Sequence, residues 1–296
     1  MPKSPRSRKV ARALLKNFPL PHPGSDGDKE VRGRVLVIGG EVSLPGAVVL
    51  AGIAALRAGA GKLQIATCST IAPAIGVAVP ESLSLGLRET RDGTIAPRLT
   101  KDLRTRVTET DALLIGPGMT GLKSNAKLVA SLLKIETTAS IVLDAGALTG
   151  FQGSANTPSF RNANAVITPH FGEMASLLDI DESEVEARQL EIALETACDL
   201  GVVVALKGAN TCIATPEGNT FLYESGDVGL ATSGSGDTLA GILAGLLARG
   251  ANPLTATLWA VFLHGEAGNI LAKRMGRIGY LARELLDEIP MLLSSN

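Results

Sequence analysis

The sequence predicts a three-layer α/β/α fold around a mostly parallel central sheet. Short β-rich runs recur along the 296 residues, each followed by a glycine-containing turn and a helical pattern. The runs are apolar almost without interruption, as in strands covered on both faces; a half-solvated sheet would alternate. Strands alternating with helices argue for parallel pairing through crossover connections.

The elements follow in order. Arg34-Val35-Leu36-Val37-Ile38 reads as a buried strand ending at Gly39-Gly40. Residues 45–58 read as a helix, with Pro45 in the first turn, where its missing N–H costs nothing. Further strands are expected at 62–66, 112–115, 140–143, 165–167 and 202–206. Residues 211–214 and 220–223 flank Pro216-Glu217-Gly218-Asn219 and read as a hairpin near the sheet edge. Three closing helices are expected at 238–248, 253–275 and 278–288. With no repeat, low-complexity tract or long linker, residues 1–296 are expected to form one domain. Residues 1–11 are expected to be a basic, flexible arm, since Lys3, Arg6, Arg8, Lys9, Arg12 and Lys16 all precede the first acid, Asp26. Transit peptides share that bias, but Pro2 and Pro5 interrupt the amphipathic helix they need.

Composition narrows the function. A formal net charge of -1 supplies no global field to draw the chain to nucleic acid or an anionic membrane, so neither partner is expected. Cys68, Cys198 and Cys212 share no metal-ligand spacing and fit free thiols in a reducing, cytoplasmic setting. The apolar stretch from Leu44 to Leu56 stops at Arg57, too short to span a bilayer.

The sharpest motif is Ala231-Thr232-Ser233-Gly234-Ser235-Gly236-Asp237, which runs directly into an apolar helix. Its glycines let backbone N–H groups turn toward one point, and the helix adds its positive end. This makes an anion hole suited to a phosphoryl group in transfer. Asp237 stands at the helix mouth, where it can take the proton of an attacking hydroxyl. The helix end is expected to lower its pKa and keep it ionised. The competing reading makes Ser235 or Asp237 a helix cap, but a cap does not need glycine on both sides of the serine.

This run resembles the anion-hole motif of ribokinase-like enzymes, and other segments narrow the resemblance to the ADP/ATP-dependent NAD(P)H-hydrate dehydratases. These include Gly33 to Gly40, Pro45-Gly46-Ala47, Ala54 to Gly61, Asp111 to Met119 and Val142 to Leu148. Thr168-Pro169-His170-Phe171-Gly172-Glu173-Met174, Lys207-Gly208, Leu263 to Gly268 and Ile278 to Ala282 continue in the same order. The match covers about residues 12–290.

The resemblance implies a ribokinase-like fold without a lid domain, and a lyase that dehydrates the S-form of hydrated NADH or NADPH, repairing the dinucleotide. ADP is the implied phosphoryl donor, with ATP as the alternative; AMP and phosphate leave, Mg2+ assists, and the enzyme is a homotetramer. Gly234, Ser235 and Gly236 are implied as the anion hole, with Gly236 also near the nucleotide. Lys207, Gly208, Ala209, Asn210 and Thr211 match the nucleotide segment. Ala47, Gly118, His170 and Asp237 match positions lining the hydrated nicotinamide, and Glu173 matches a carboxylate tied to magnesium–phosphate electrostatics. By residue chemistry alone, Lys207 fits a phosphate-facing or a solvated strand-end lysine. His170 fits a ligand position or a satisfied loop histidine, and Glu173 a site carboxylate or a helix-dipole partner. His264 and Trp259, on an apolar helix, read as core. No cluster with metal-ligand spacing is visible. Glu41 stands where the family often has Ser, placing a carboxylate near the phosphate region.

Other readings compete. Gly116-Pro117-Gly118-Met119-Thr120-Gly121, with Asp144 ending the next strand, imitates a dinucleotide-binding fingerprint. It sits mid-chain, however, and Pro117 removes a donor from the loop. Gly121-Leu122-Lys123-Ser124 places its lysine out of register for a P-loop. A closer alternative is a small-molecule kinase of the same superfamily, acting on a thiazole or pyridine alcohol. A nucleotide sensor that lost turnover is the non-enzymatic alternative, which an intact Asp237 argues against.

Overall fold

The computed structural model describes residues 7–22, 28–121, 123–149 and 164–294. The chain enters through β1 (Arg8–Lys9) and α1 (Arg12–Leu15). It then lays down β2 (Arg34–Ile38), α2 (Pro45–Arg57), β3 (Lys62–Cys68), α3 (Ala72–Ala78), β4 (Ser82–Leu87), α4 (Lys101–Thr108) and β5 (Ala112–Ile115). There follow α5 (Lys123–Leu132), β6 (Ser140–Leu143), β7 (Ala165–Ile167), α6 (Phe171–Leu178), α7 (Glu182–Ala187) and α8 (Gln189–Leu200). The chain closes with β8 (Val203–Leu206), β9 (Thr211–Ala214), β10 (Thr220–Tyr223), α9 (Ser235–Ala248), α10 (Pro253–Met275) and α11 (Ala282–Ser294).

All described strands join one sheet, in the order β1-β10-β9-β8-β7-β6-β5-β2-β3-β4. Pairing is parallel from β4 across to β8, and β9 alone runs against its neighbours. Each central strand is apolar on both faces because each face meets helices. Val35, Val37, Leu114 and Val142 pack with α2, α9, α10 and α11. Leu36, Ile38, Leu113, Ile115 and Leu143 pack with α4, α5, α6 and α8. This is the three-layer architecture expected from the uninterrupted runs. The layer beneath the site is tight: a Cβ on Gly241 would lie 2.2 Å from the Ala51 carbonyl oxygen, and one on Gly245 would lie 2.4 Å from that of Ala55. Helices α9 and α2 therefore meet backbone to backbone.

The structure corrects the expected arm. Arg8 and Lys9 pair in parallel with Phe221 and Leu222, and Val10 is buried. The Arg8 guanidinium lies over the rings of Phe18 and Phe221, and Trp259 Nε1 donates to the Phe18 carbonyl at 2.7 Å. A run of positive charge hid the apolar anchors Val10, Leu15 and Phe18 between and after the charges. From residue 8 onward the segment is structured; Lys3 and Arg6 lie outside the described residues. The hairpin of β9 and β10 lies near the sheet edge as expected, and β1 takes the outermost place beside β10. The last helix starts at Ala282, after Gly276 and Gly279 at positive φ (111° and 108°).

Candidate functional site

Parallel strands deliver their carboxyl ends to one edge of the sheet, where open α/β folds place ligands. Asp144 follows β6, His170 follows β7 and Lys207 follows β8. A backbone bond from Lys207 N to the Pro169 carbonyl (2.8 Å) holds the last two side by side. The N-terminus of α9 arrives at the same edge, so residues far apart in sequence converge.

Lys207 is the hub. Its Nζ lies 2.9 Å from Asp144 Oδ1 and 3.9 Å from Glu173 Oε2. Asp144 is buried and also accepts from Thr168 Oγ1 at 2.7 Å. Burial works against the Lys207 ammonium, but Asp144 and then Glu173 more than offset it, so its pKa is raised and its charge is kept. This is not a solvated strand-end lysine. Burial first, and then the Asp144 charge, push Asp237 up to about 7, with Lys207 partly opposing. That overturns the expected lowering: a helix end contributes a modest field, and here desolvation and like charge outweigh it. Glu173 is likewise raised, chiefly by burial.

At the start of α9, Gly234 occupies the cap position at φ 87° with no side-chain capping bond, so the capping alternative is not what is built. A Cβ there would lie 2.4 Å from Leu50 Cδ1. The Ser235 amide donates to the Thr232 carbonyl at 3.2 Å, and Thr238 N to the Gly234 carbonyl begins the helical ladder. The amides of Gly236 and Asp237 have no acceptor among the described residues. The Gly234 amide has none either, so of the expected anion-hole amides only that of Ser235 is engaged, and Asp237 adds an open one.

A cavity of about 790 Å³ spreads from this point, with Lys207, Gly208, Ala209, Thr211, Ser235 and Gly236 in its wall. Tyr223, Leu230 and Val261 supply an apolar side. Asn210 is absent from the wall, and its carbonyl accepts from Gln189 Nε2. His170 lines both this cavity and a smaller recess of about 270 Å³ that Glu173 and Gly146 also line. His170 and Glu173 form a reciprocal capping box on α6: Nδ1 accepts from Glu173 N, and Oε2 accepts from His170 N. The capping role is therefore built, by side chains that also line these cavities. Ala47 and Gly118 adjoin each other, since a Cβ on Gly118 would lie 3.1 Å from that of Ala47. They sit at the Gly40 turn and outside both walls.

Two side chains at this edge escaped sequence reasoning. In the sequence Asp144 is a strand-end acid that also completes the decoy fingerprint, which masks its place here. Gly116 of that fingerprint instead lets two strand ends approach, since a Cβ there would lie 1.7 Å from the Asp144 carbonyl oxygen. His264, read as core, lines the cavity, and its Nε2 lies 2.9 Å from Ser235 Oγ. Only the tertiary pairing reveals it. Glu41 is buried and accepts from Asn125 Nδ2 at 2.7 Å, so it is spent inside the protein.

Comparisons with known proteins agree with this geometry. A family model described as NAD(P)H-hydrate dehydratase matches residues 35–291. The ADP-dependent (S)-NAD(P)H-hydrate dehydratase of Xanthomonas campestris is 48% identical over 98% of this chain and 97% of its own length. The bifunctional NAD(P)H-hydrate repair enzyme Nnr of Moorella thermoacetica is 36% identical, and the chain spans 54% of its length. The crystal structure of the Bacillus subtilis ADP/ATP-dependent NAD(P)H-hydrate dehydratase, co-crystallised with ATP and Mg2+, matches with a TM-score of 0.83 at 30% identity over 99% of both chains. This chain belongs to the NAD(P)H-hydrate dehydratase family and carries its ribokinase-like fold.

Proposed function

We propose that the chain dehydrates the S-form of hydrated NADH or NADPH with ADP as phosphoryl donor, restoring the dinucleotide and releasing AMP and phosphate. The observation that carries this is the convergence of Asp237, the unpaired amides of Gly236 and Asp237, and the Lys207 ammonium on one sheet edge. The names of the relatives point the same way.

Asp237 accepts the proton of the C6 hydroxyl as that oxygen bonds to the terminal phosphorus of ADP. The bond from that phosphorus to its bridging oxygen breaks, and AMP leaves with the electron pair. The ring nitrogen lone pair then expels phosphate from C6, and loss of a proton from C5 restores the double bond. Hydroxide is a poor leaving group and phosphate a good one, which is why a phosphoryl-transfer site can serve a lyase. A base with a pKa near 7 is matched to this step, because it is available at neutral pH and still holds a proton well. The Gly236 and Asp237 amides and Lys207 receive the charge that grows on the transferring group.

Asp144, Glu173 and Asp237 share one lysine, a negative excess that suits a hard divalent cation. Among the described residues, however, no group of three or more His, Cys, Asp or Glu side chains is placed to hold a metal ion by itself. Mg2+ would therefore be held by nucleotide phosphates, with Glu173 and Asp144 as the nearby carboxylates, and would neutralise phosphate charge when bound. A cytoplasmic homotetramer completes the proposal. It agrees with the unpaired thiols of Cys68, Cys198 and Cys212, and no described helix is long and apolar enough to cross a membrane.

The test incubates purified protein with the S-hydrate, ADP and Mg2+ and follows the reduced-nicotinamide absorbance. Its return with one AMP per turnover is expected. A stable phosphorylated thiazole or pyridine alcohol, formed with no action on the hydrate, would establish the kinase instead.

A further inference from the structure

Ser235 opens α9 and His264 lies midway along α10, and both line the cavity that Lys207 enters. Ser235 Oγ and His264 Nε2 are 2.9 Å apart, and the serine is only 6% exposed. Burial pushes the imidazole pKa down to about 4, and the Lys207 charge adds to this, against a hydrogen bond with the Ser235 backbone that raises it. At neutral pH the ring therefore carries a single N–H, on one nitrogen or the other.

Which nitrogen carries it decides what the serine can do. If Nε2 is bare, the hydroxyl must donate to it, and the oxygen turns its lone pairs to the cavity. A phosphoryl group offers only acceptors, so that arrangement repels it. If Nε2 carries the hydrogen, it donates to Oγ, and the hydroxyl hydrogen is free to meet a phosphoryl oxygen. The neighbouring amides of Gly236 and Asp237 stand open, whereas the Ser235 amide is engaged by Thr232. What Ser235 can add to the anion hole is therefore its side chain.

We infer that His264 is a positioning residue: as the Nε2–H tautomer it donates to Ser235 Oγ and thereby turns the serine hydroxyl toward the transferring phosphoryl group as a side-chain donor beside the open amides. The inference rests on the proposed phosphoryl-transfer reading of this site.

Two measurements on the full chain test it. The first is long-range proton–nitrogen NMR of the imidazoles, of which there are three, with His264→Gln assigning the signal. A neutral Nε2–H pattern at His264 is expected, and a bare Nε2 overturns the inference without any reference to activity. The second is a kinetic cycle. Ser235→Ala and His264→Leu should each lower kcat by about a hundred- to a thousandfold, the scale of one lost oxyanion donor, with KM for the hydrate little changed. The double variant should be no slower than Ser235→Ala, and His264→Gln, whose amide N–H can donate, should recover most of the rate. Multiplying losses in the double variant, or a glutamine variant as slow as the leucine one, overturns the positioning role. If His264→Leu melts early, the tautomer and the serine–glutamine pair decide. A wild-type chain with no dehydratase activity would sink the proposed function instead, and the tautomer reading would still stand or fall alone.

Discussion

At the scale of single residues, Asp237 concentrates the chemistry and its cost. A carboxyl whose folded pKa is about 7, against 3.8 for the free side chain, holds its proton more tightly in the folded state. Its ionisation therefore lowers stability progressively as pH climbs from about 4 to about 7, and the penalty is complete above that. Asp237→Asn should consequently melt a few degrees above the parent at pH 8, with the difference closing toward pH 4, in parallel thermal scans. The same change should lower turnover by about a hundredfold or more, the scale of a lost general base. An unchanged rate would remove Asp237 from the mechanism. For the free enzyme, kcat/KM should rise with pH along a limb near 7. Asp144→Asn should move that limb to lower pH, because Asp144 raises Asp237 directly and its charge also offsets that of Lys207, which lowers it. A limb that stays put would show that the two carboxyls do not interact. The identity of Asp237 was legible in its glycine-flanked motif. Its ionisation was not, since the groups that set it come from the ends of β6, α6 and β8, whose convergence no local pattern announces.

At the scale of elements, the same substitution should have opposite signs at two glycines. Gly241 in α9 faces the Ala51 carbonyl, which an added Cβ would meet at 2.2 Å. Exchanging glycine for alanine in a helix gains about 1 kcal/mol of propensity. Forcing two backbones apart costs about 1–3 kcal/mol or more, and it wins. Gly241→Ala should therefore lower the denaturation midpoint, while Gly46→Ala, in the exposed first turn of α2 with nothing within 4 Å, should hold or raise it. Equal effects at both positions would mean that helix propensity, and not the α2–α9 contact, controls this layer. The elements themselves were legible where burial writes a strong pattern. The strands at 34–38, 112–115, 140–143 and 165–167 agree with the uninterrupted apolar runs. Strand β4, Ser-Leu-Ser-Leu-Gly-Leu, lies at the sheet edge, and its alternation with small polar residues was too weak to read. Helix α9 starts three residues before the expected 238, because Ser235-Gly236-Asp237 reads as loop chemistry although an anion hole requires those residues in the first turn.

At the scale of the whole molecule, the fold solves an edge problem that the sequence conceals. The order β5-β2-β3-β4 on one side and β6-β7-β8-β9-β10 on the other reverses the direction of winding, and no local signal states that order. One outer edge, β10, would carry unpaired backbone groups, which invite pairing with other chains. Strand β1 covers it through a two-residue ladder, continued by Val10 N donating to the Leu222 carbonyl at 2.8 Å. The segment then runs across the helical layer, where Arg249 donates to the carbonyls of Ala58 and Pro21. Its seal depends on Val10, which is 1% exposed. Val10→Asp places an uncompensated carboxylate there and should detach the strand. Trypsin should then cut at Arg8, Lys9 and Arg12 in the variant far faster than in the parent, and the variant should aggregate more readily with concentration. Dehydratase turnover should change little, because β9 and β10 separate this edge from the end of β8 that carries Lys207. A parent chain cleaved at those residues as fast as the variant would restore the flexible arm that its charges alone suggest. A large loss of turnover in a folded variant would mean instead that the edge is coupled to the site through the hairpin.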